Sequence, residues 1–186
     1  MRRIVCLVLC GLFLPALSLR AQKVSLSTNL VDWACLGTMN AEVSYSLSRR
    51  WSVTADVKYN PFSFSRNGGA ERFHYRQQAY AVGARLWPWH TLSGWWFAGK
   101  LKYQEYNFGG IISPESKEGD KAGGGLYAGY THMLSEHFNL EFGLGLWTGM
   151  DWYRRYSCTV CGLTLQQGRK WFVQPDGFVI SVAYVF

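Results

Sequence analysis

The feature that most constrains the fold of this chain is an apolar–polar alternation with a period of two residues. Residues 138–146 and 178–186 each place five apolar side chains on one face. Because successive side chains of a strand point to opposite faces, both runs predict β-strands. Neither apolar face carries a charge, whereas Glu141 lies on the opposite face of the first run. Alternating strands with a charge-free face are typical of a barrel wall that meets lipid.

The alternation predicts eight strands, most of them reaching the 9–11 residues that a tilted strand needs to cross a bilayer. They cover roughly residues 25–34, 40–47, 51–60, 76–88, 95–108, 122–134, 137–150 and 175–186. Short turns are expected at 48–50, 89–94 and 135–136. Long loops are expected at 61–75, 109–121 and 151–174, with a shorter link at 35–39. The expected fold is all-β: a single antiparallel eight-stranded transmembrane up-and-down β-barrel with both termini on the short-turn rim.

Residues 1–21 have the pattern of a secretory signal peptide. Two arginines precede the apolar run Ile4–Leu19, and Ala21 marks the expected cleavage site. The run is shorter than the roughly 20 residues of a membrane-spanning helix, and Pro15 interrupts it. Residues 22–186 are therefore expected to form the outer-membrane β-barrel domain.

Composition excludes several classes of protein. Aromatic residues make up 17% and charged residues 17% of the chain, against about 25% charged residues in ordinary soluble domains. A disordered chain would have few aromatics and a high charge, and a coiled coil would be rich in Ala, Glu, Lys and Leu. The net charge is +7, which on its own would suit a nucleic-acid partner. An exported protein does not meet genomic DNA, so no nucleic-acid partner is expected.

Charged residues in the predicted strands share the face opposite to the apolar one. Charges inside a bilayer must pair or face water. We therefore place seven of these charged residues in the barrel interior, as a paired network of four bases and three acids. An eight-stranded barrel is only wide enough for side chains to fill it, so no open pore is expected. The network consists of Glu42, Asp56, Lys58, Arg85, Lys100, Lys102 and Glu141.

Short motifs in a fixed order carry a family resemblance over nearly the whole mature chain. They are Thr28-Asn29-Leu30 with Asp32, Arg50-Trp51-Ser52, Tyr59-Asn60-Pro61-Phe62, Arg85-Leu86-Trp87, Tyr106–Ile111, Leu134–Glu141 and Tyr156–Gly162. In their order and spacing the chain resembles domain-of-unknown-function family 3575, small outer-membrane barrels of Gram-negative anaerobes. The resemblance implies an outer-membrane location. It implies no known activity and no catalytic residues.

Three cysteines remain after the predicted signal peptide. Cys158 and Cys161 form a Cys-x-x-Cys pair in the longest predicted loop, and Cys35 follows the first strand. In a closed barrel the first and last strands pair, which brings the three cysteines towards one another. A disulfide suits an exported protein, and a metal site is the alternative if His74 completes a Cys₃His set. Free thiols are the third alternative, and the anaerobic habitat implied by the resemblance weakens the disulfide.

A lipid-modifying hydrolase is the main alternative to a non-enzymatic protein. His132, Ser135 and Glu141 supply the residue types, but the parity of the strands separates them, and a base must lie within hydrogen-bond reach of its nucleophile. The glycines at 123–125 precede no helix and no Lys-Ser or Lys-Thr pair, so they are not a phosphate loop and no cofactor is expected. A soluble lipocalin-like carrier is less favoured, because its apolar faces would point inwards.

The predicted loop 151–174 carries a net charge of +3 among aromatic side chains. Such a surface fits lipopolysaccharide phosphates or an anionic partner at the cell surface; a solvated loop with interfacial aromatics is the alternative. The function expected is a non-enzymatic outer-membrane barrel that is structural or binds a surface protein or glycan. The binding residues expected are Trp152, Arg154, Arg155, Arg169, Lys170 and Trp171.

Overall fold

The computed structural model describes residues 23–66, 71–110, 115–157 and 163–186. The predicted signal peptide, residues 1–21, lies outside the described residues. Within the described ranges the chain forms one helix, α1 (Leu30–Ala34), and nine strands. The strands are β1 (Val24–Asn29), β2 (Met39–Ser46), β3 (Trp51–Asn60), β4 (Ser63–Arg66), β5 (Glu71–Leu86), β6 (Gly94–Gly109), β7 (Ser116–Met133), β8 (Phe138–Tyr156) and β9 (Thr164–Val185).

Eight of these strands form a closed antiparallel ring. The order is β1, β2, β3, β5, β6, β7, β8 and β9, and β9 pairs back to β1. Strand β4 lies outside this ring because it pairs only with the end of β5, while β3 pairs with β5 directly. The predicted number of ring strands and their antiparallel order are confirmed. The links β2–β3, β5–β6 and β7–β8 and both ends of the ring lie on one rim, the turn rim; the opposite rim is the loop rim.

The strands are unequal in length, and the taller ones form an upper wall on the loop rim. Strand β3 ends at Asn60, opposite Gln77, whereas β5 to β8 continue beyond that row. Strand β1 ends at Asn29, opposite Ser181, but β9 begins at Thr164. Among the described residues, no strand pairs with the edge of β9 before Ser181 that faces away from β8.

Two sequence predictions of secondary structure are wrong. Residues 30–34, expected at the end of the first strand, form α1, because the Asn29 side chain caps the helix by accepting from the Val31 N–H. Most of the residues in the expected loops 61–75, 109–121 and 151–174 form strands. Both faces of the upper wall carry polar side chains, so its sequence lacks the apolar alternation of the lower strands. In the part of the chain that the structure describes, no helix is long and apolar enough to cross a membrane.

The ring has an inverted distribution of polarity. Among the described residues, eighteen polar or charged residues are buried against eleven apolar ones. Large apolar side chains lie exposed on the outer face, including Leu101 at 69%, Leu126 at 75% and Phe178 at 64%. The inner face carries an apolar plug near the turn rim, which contains Trp87, Leu92, Trp96 and Val185. A water-soluble domain buries its apolar face, so this outer surface is suited to an apolar surrounding.

Candidate functional site

Arg85 is the centre of the charged interior, just above the apolar plug. Its side chain is 3% exposed. The guanidinium donates to both oxygens of Glu141 at 3.1 and 3.2 Å and to Glu42. It also lies 4.4 Å from the ring of Trp96, which fits beside Gly129 and Gly143 because any Cβ there would meet its ring. One buried cation on β5 therefore holds a carboxylate from β2 and a carboxylate from β8.

The network continues upwards through three lysines. Lys100 bridges Glu42 and Asp56 at 2.5 and 2.8 Å. Lys102 binds Asp176 at 2.9 Å. Lys58 pairs with Asp32 at 2.7 Å. The structure thus places the seven residues expected in the interior in ion pairs, together with two further carboxylates. The pairs form one group of five residues around Arg85 and Lys100 and two separate pairs, Lys102–Asp176 and Lys58–Asp32.

Those two carboxylates, Asp32 and Asp176, were missed by the sequence analysis. Asp32 lies in α1, which was expected to be strand. Asp176 has the parity of the outward Phe178, but a register shift opposite residues 143–145 turns it inwards. Gly177, with φ +69°, supplies the left-handed conformation at this bulge. A Pro-Asp-Gly sequence inside a strand pattern was the signal for this irregularity.

A second charged cluster, here called the upper cluster, lies on the inner face of the upper wall. Asp151 is 1% exposed and accepts from the Tyr106 hydroxyl at 2.7 Å and the Lys117 ammonium at 2.8 Å. Lys121 donates to the Gln174 amide oxygen at 2.9 Å, and Lys170 lies 5.5 Å from the ring of Tyr153. The cluster thus holds three lysines and one described carboxylate, which Lys117 contacts directly. Burial lowers the pKa of Lys117, and the like charges of Lys170 and Arg155 act in the same direction.

A groove with a volume of about 1220 Å³ runs obliquely across the outer face from β3 to β9. Two cross-strand rows of side chains form its sides. The lower row follows the register Tyr59, Gln78, Glu105, Asp120, Trp152 and Arg169. The upper row follows the register Arg76, Asn107, Glu118, Arg154 and Gln167. Directly below the lower row, the outward residues are predominantly apolar: Val57, Tyr80, Tyr103, Ala122, Met150 and Trp171.

The carboxylates of the groove are held by neutral groups. Glu105 accepts from Tyr103 and Gln78, and Glu118 accepts from Asn107 and from Tyr156 at 2.5 Å. The hydrogen bond to Glu118 raises the pKa of Tyr156. In the described part of the chain, none of the ion pairs within 4.0 Å involves an arginine or a carboxylate of the groove. The groove therefore presents charges of both signs to its surroundings.

The structure divides the six residues expected to form a binding loop between the two faces of the β8–β9 hairpin. Trp152, Arg154, Arg169 and Trp171 lie on the outer face, with Trp171 65% exposed. Arg155 and Lys170 have the opposite parity, on the side of the Tyr153 ring. The prediction that these six residues lie on a loop is wrong, because they lie on two paired strands that hold them in a fixed register.

The residues considered for a hydrolase lie apart. His132 lies on the outer face, whereas Glu141 lies inside and is bound to Arg85. Ser135 is in a turn, where its hydroxyl accepts from the Phe138 N–H at 3.2 Å. Strand parity separates the proposed base from the acid, so the arrangement brings no acid–base–nucleophile set together.

The residues considered for a disulfide or a metal site are not brought together within the described residues. Cys158 and Cys161 lie outside the described residues, and Cys35 is exposed after α1. His74, the fourth ligand considered for a metal, binds the Ser116 hydroxyl at 3.1 Å. Within the described ranges, no group of three or more His, Cys, Asp or Glu side chains is placed to hold a metal ion.

Comparison with known proteins gives one family. The family model described as "Protein of unknown function (DUF3575)" matches residues 5–186. No curated protein and no solved structure matches the chain.

Proposed function

The chain belongs to the DUF3575 family of proteins, and we propose that it is a non-enzymatic β-barrel of the bacterial outer membrane. In this proposal the closed ring spans the lipid bilayer, residues 1–21 are the export signal, and the upper wall stands outside the cell. The upper wall, and chiefly the β8–β9 hairpin, binds a protein or glycan at the surface or stabilises the envelope.

The inverted polarity of the ring carries this proposal. Leu101, Leu126 and Phe178 are each more than 60% exposed on the outer face, while Arg85 and Glu141 are buried inside. Apolar area of this extent exposed to water would be costly, at about 25 cal/mol for each Å². In lipid the same surface is favourable, and ring closure leaves the spanning backbone without an open edge.

The filled interior favours binding or structural support over transport. The apolar plug with Trp87 and Trp96 and the ion pairs of Arg85, Lys100 and Lys102 occupy the lumen. The internal cavity beside these pairs has a volume of only about 60 Å³, room for a few waters at most. Interaction with other molecules is therefore assigned to the outer surface and the upper wall.

The free edge of β9 supports the assignment to the β8–β9 hairpin. Residues 164–171 are all exposed although they form a strand. An unpaired strand edge offers a row of N–H and C=O groups to an extended segment of another chain. Arg169 and Lys170 on this strand favour a segment with acidic side chains.

Heat-modifiability tests the proposal. The full-length chain is expressed in a Gram-negative host, outer membranes are isolated, and gel mobility is compared with and without boiling. A closed transmembrane barrel is expected in the detergent-extracted outer-membrane fraction, with a band that shifts on boiling. A soluble periplasmic protein whose band does not shift would contradict the proposal.

A further inference from the structure

The groove on the outer face lies next to the surface on which lipid would end. On each strand, the lower row of the groove lies two residues closer to the loop rim than the uppermost residues of the apolar face. Among these are the exposed aromatics Tyr80, Tyr103 and Trp171. Tyr and Trp favour the boundary between hydrocarbon and water in membrane proteins. If the ring spans a bilayer, which is the proposed function on which this inference rests, the groove faces the headgroups of the outer leaflet.

The side chains of the groove are those that bind phosphorylated sugars. Arg154 and Arg169 lie on neighbouring strands and both adjoin Trp152: Arg154 is two residues further along β8, and Arg169 is opposite Trp152 on β9. Guanidinium groups bind phosphate through paired hydrogen bonds, and Trp152, at 46% exposure, offers an apolar ring face to a sugar. The carboxylates of Glu105, Glu118 and Asp120 can accept from several hydroxyl groups.

The length of the groove distinguishes between two kinds of lipid headgroup. It crosses six strands, and neighbouring strands are about 4.8 Å apart, so its length along the sheet is about 24 Å. A single phosphate headgroup would contact two or three strands. A disaccharide with phosphates reaches across both the arginine part on β8 and β9 and the carboxylate part on β6 and β7.

We propose that this groove binds the phosphorylated sugar headgroup of the outer-leaflet glycolipid, lipopolysaccharide. Arg154 and Arg169 hold a phosphate, Trp152 packs against a sugar ring, and the carboxylates of Glu105 and Asp120 accept hydrogen bonds from sugar hydroxyls. The acyl chains descend over the apolar outer face. The groove is then a lipid site on the outer face of the upper wall. It shares the Arg169 side chain with the β9 strand but does not use the backbone groups of the β9 edge.

Binding of bisphosphorylated lipid A to the purified full-length mature chain in detergent micelles tests this site. The groove variant is Arg154→Ala with Arg169→Ala. The matched control is Arg49→Ala with Arg50→Ala, which removes the same charge from the turn rim, where both residues are exposed. We expect the groove variant to bind at least tenfold more weakly and the control to bind as the parent does. All proteins are first shown to be folded by their gel shift.

Two further ligands separate the sources of phosphate. Lipid A without phosphates is expected to bind the parent more weakly, and phosphatidylethanolamine is expected not to compete at equal concentration. Equal binding by the groove variant and the parent, an equal loss in the control, or full competition by phosphatidylethanolamine would each overturn the glycolipid site. A heat-modifiable outer-membrane protein that fails this binding test would lose the site but keep the proposed function.

Discussion

The closed ring and the upper wall solve the problem of buried charge in different ways. Inside the ring, Arg85 and Lys100 each contact two carboxylates, and four bases face five acids in all. In the upper cluster Asp151 contacts Lys117, and Lys121 and Lys170 add further positive charge beside that pair. The ring interior is filled by side chains around a cavity of only about 60 Å³, whereas the upper wall is open on one side. The difference indicates that ion pairing holds the ring together and that the upper wall keeps surplus positive charge for its surroundings.

The largest effect is expected from Arg85→Met in the ring. The substitution leaves Glu42 and Glu141 without their shared cation in a site that is 2–14% exposed. Breaking a buried ion pair costs about 3–5 kcal/mol of unfolding free energy. Urea unfolding of the refolded protein, followed by the heat-modifiable band, measures the loss.

A double variant sharpens this result. Glu42 keeps Lys100 as a partner, whereas Glu141 loses its ion pair. Arg85→Met combined with Glu141→Gln removes that unpaired carboxylate, so part of the lost stability should return. If the single variant unfolds at the same urea concentration as the parent, the ion pairs do not hold the ring together and the comparison fails.

An intermediate effect is expected from Lys102→Met. Lys102 contacts one carboxylate, and Asp176 also accepts from the Tyr127 hydroxyl at 2.6 Å. The charge that remains is therefore partly satisfied, and we expect a loss of about 2–3 kcal/mol. The same urea series compares this variant with Arg85→Met. A loss larger than that of Arg85→Met would contradict the central place given to Arg85.

These interior contacts show where sequence reasoning succeeds and where it ends. The parity of a strand fixes its inward face, so the sides of Glu42, Asp56, Arg85 and Glu141 follow from alternation alone. Parity fails at Asp176, because one extra residue at Gly177 reverses the faces of β9. The sequence does not predict which acid pairs with which base, because the pairing depends on how far neighbouring strands are staggered.

The upper wall was harder to predict for a different reason. Alternation is visible only where the two faces of a strand differ in polarity, and residues 164–170 are exposed on both faces. The charge and aromatic content of 151–174 were evident in the sequence. The groove was not, because its rows combine residues from six strands whose register had to be known first.

A smaller effect is expected in the upper cluster from Asp151→Asn. The variant removes the carboxylate shared by Lys117 and Tyr106, and the lysines then repel one another without compensation. Because Lys117 is 26% exposed, water limits the cost to about 1–2 kcal/mol. The loss should shrink at high salt, unlike that of Arg85→Met. A salt-independent loss as large as that of Arg85→Met would remove the distinction between the two regions.

The smallest effect concerns the pH dependence of Lys117. Burial lowers its pKa below the ordinary value of 10.5, so between the lowered pKa and 10.5 the unfolded chain binds more protons than the folded one. The contribution of Lys117 to the unfolding free energy therefore rises with pH through this window. Tyr156, whose pKa is raised, contributes in the opposite sense above pH 10 and is present in every variant.

Urea unfolding of the parent and of Lys117→Met at several values from pH 8 to 10 isolates the contribution of Lys117. We expect the stability of the parent, measured relative to Lys117→Met, to increase across this range, by less than the loss in Asp151→Asn. A relative stability that stays constant or falls would mean that Asp151 already balances the charge of Lys117, and the upper cluster would then be as well paired as the ring.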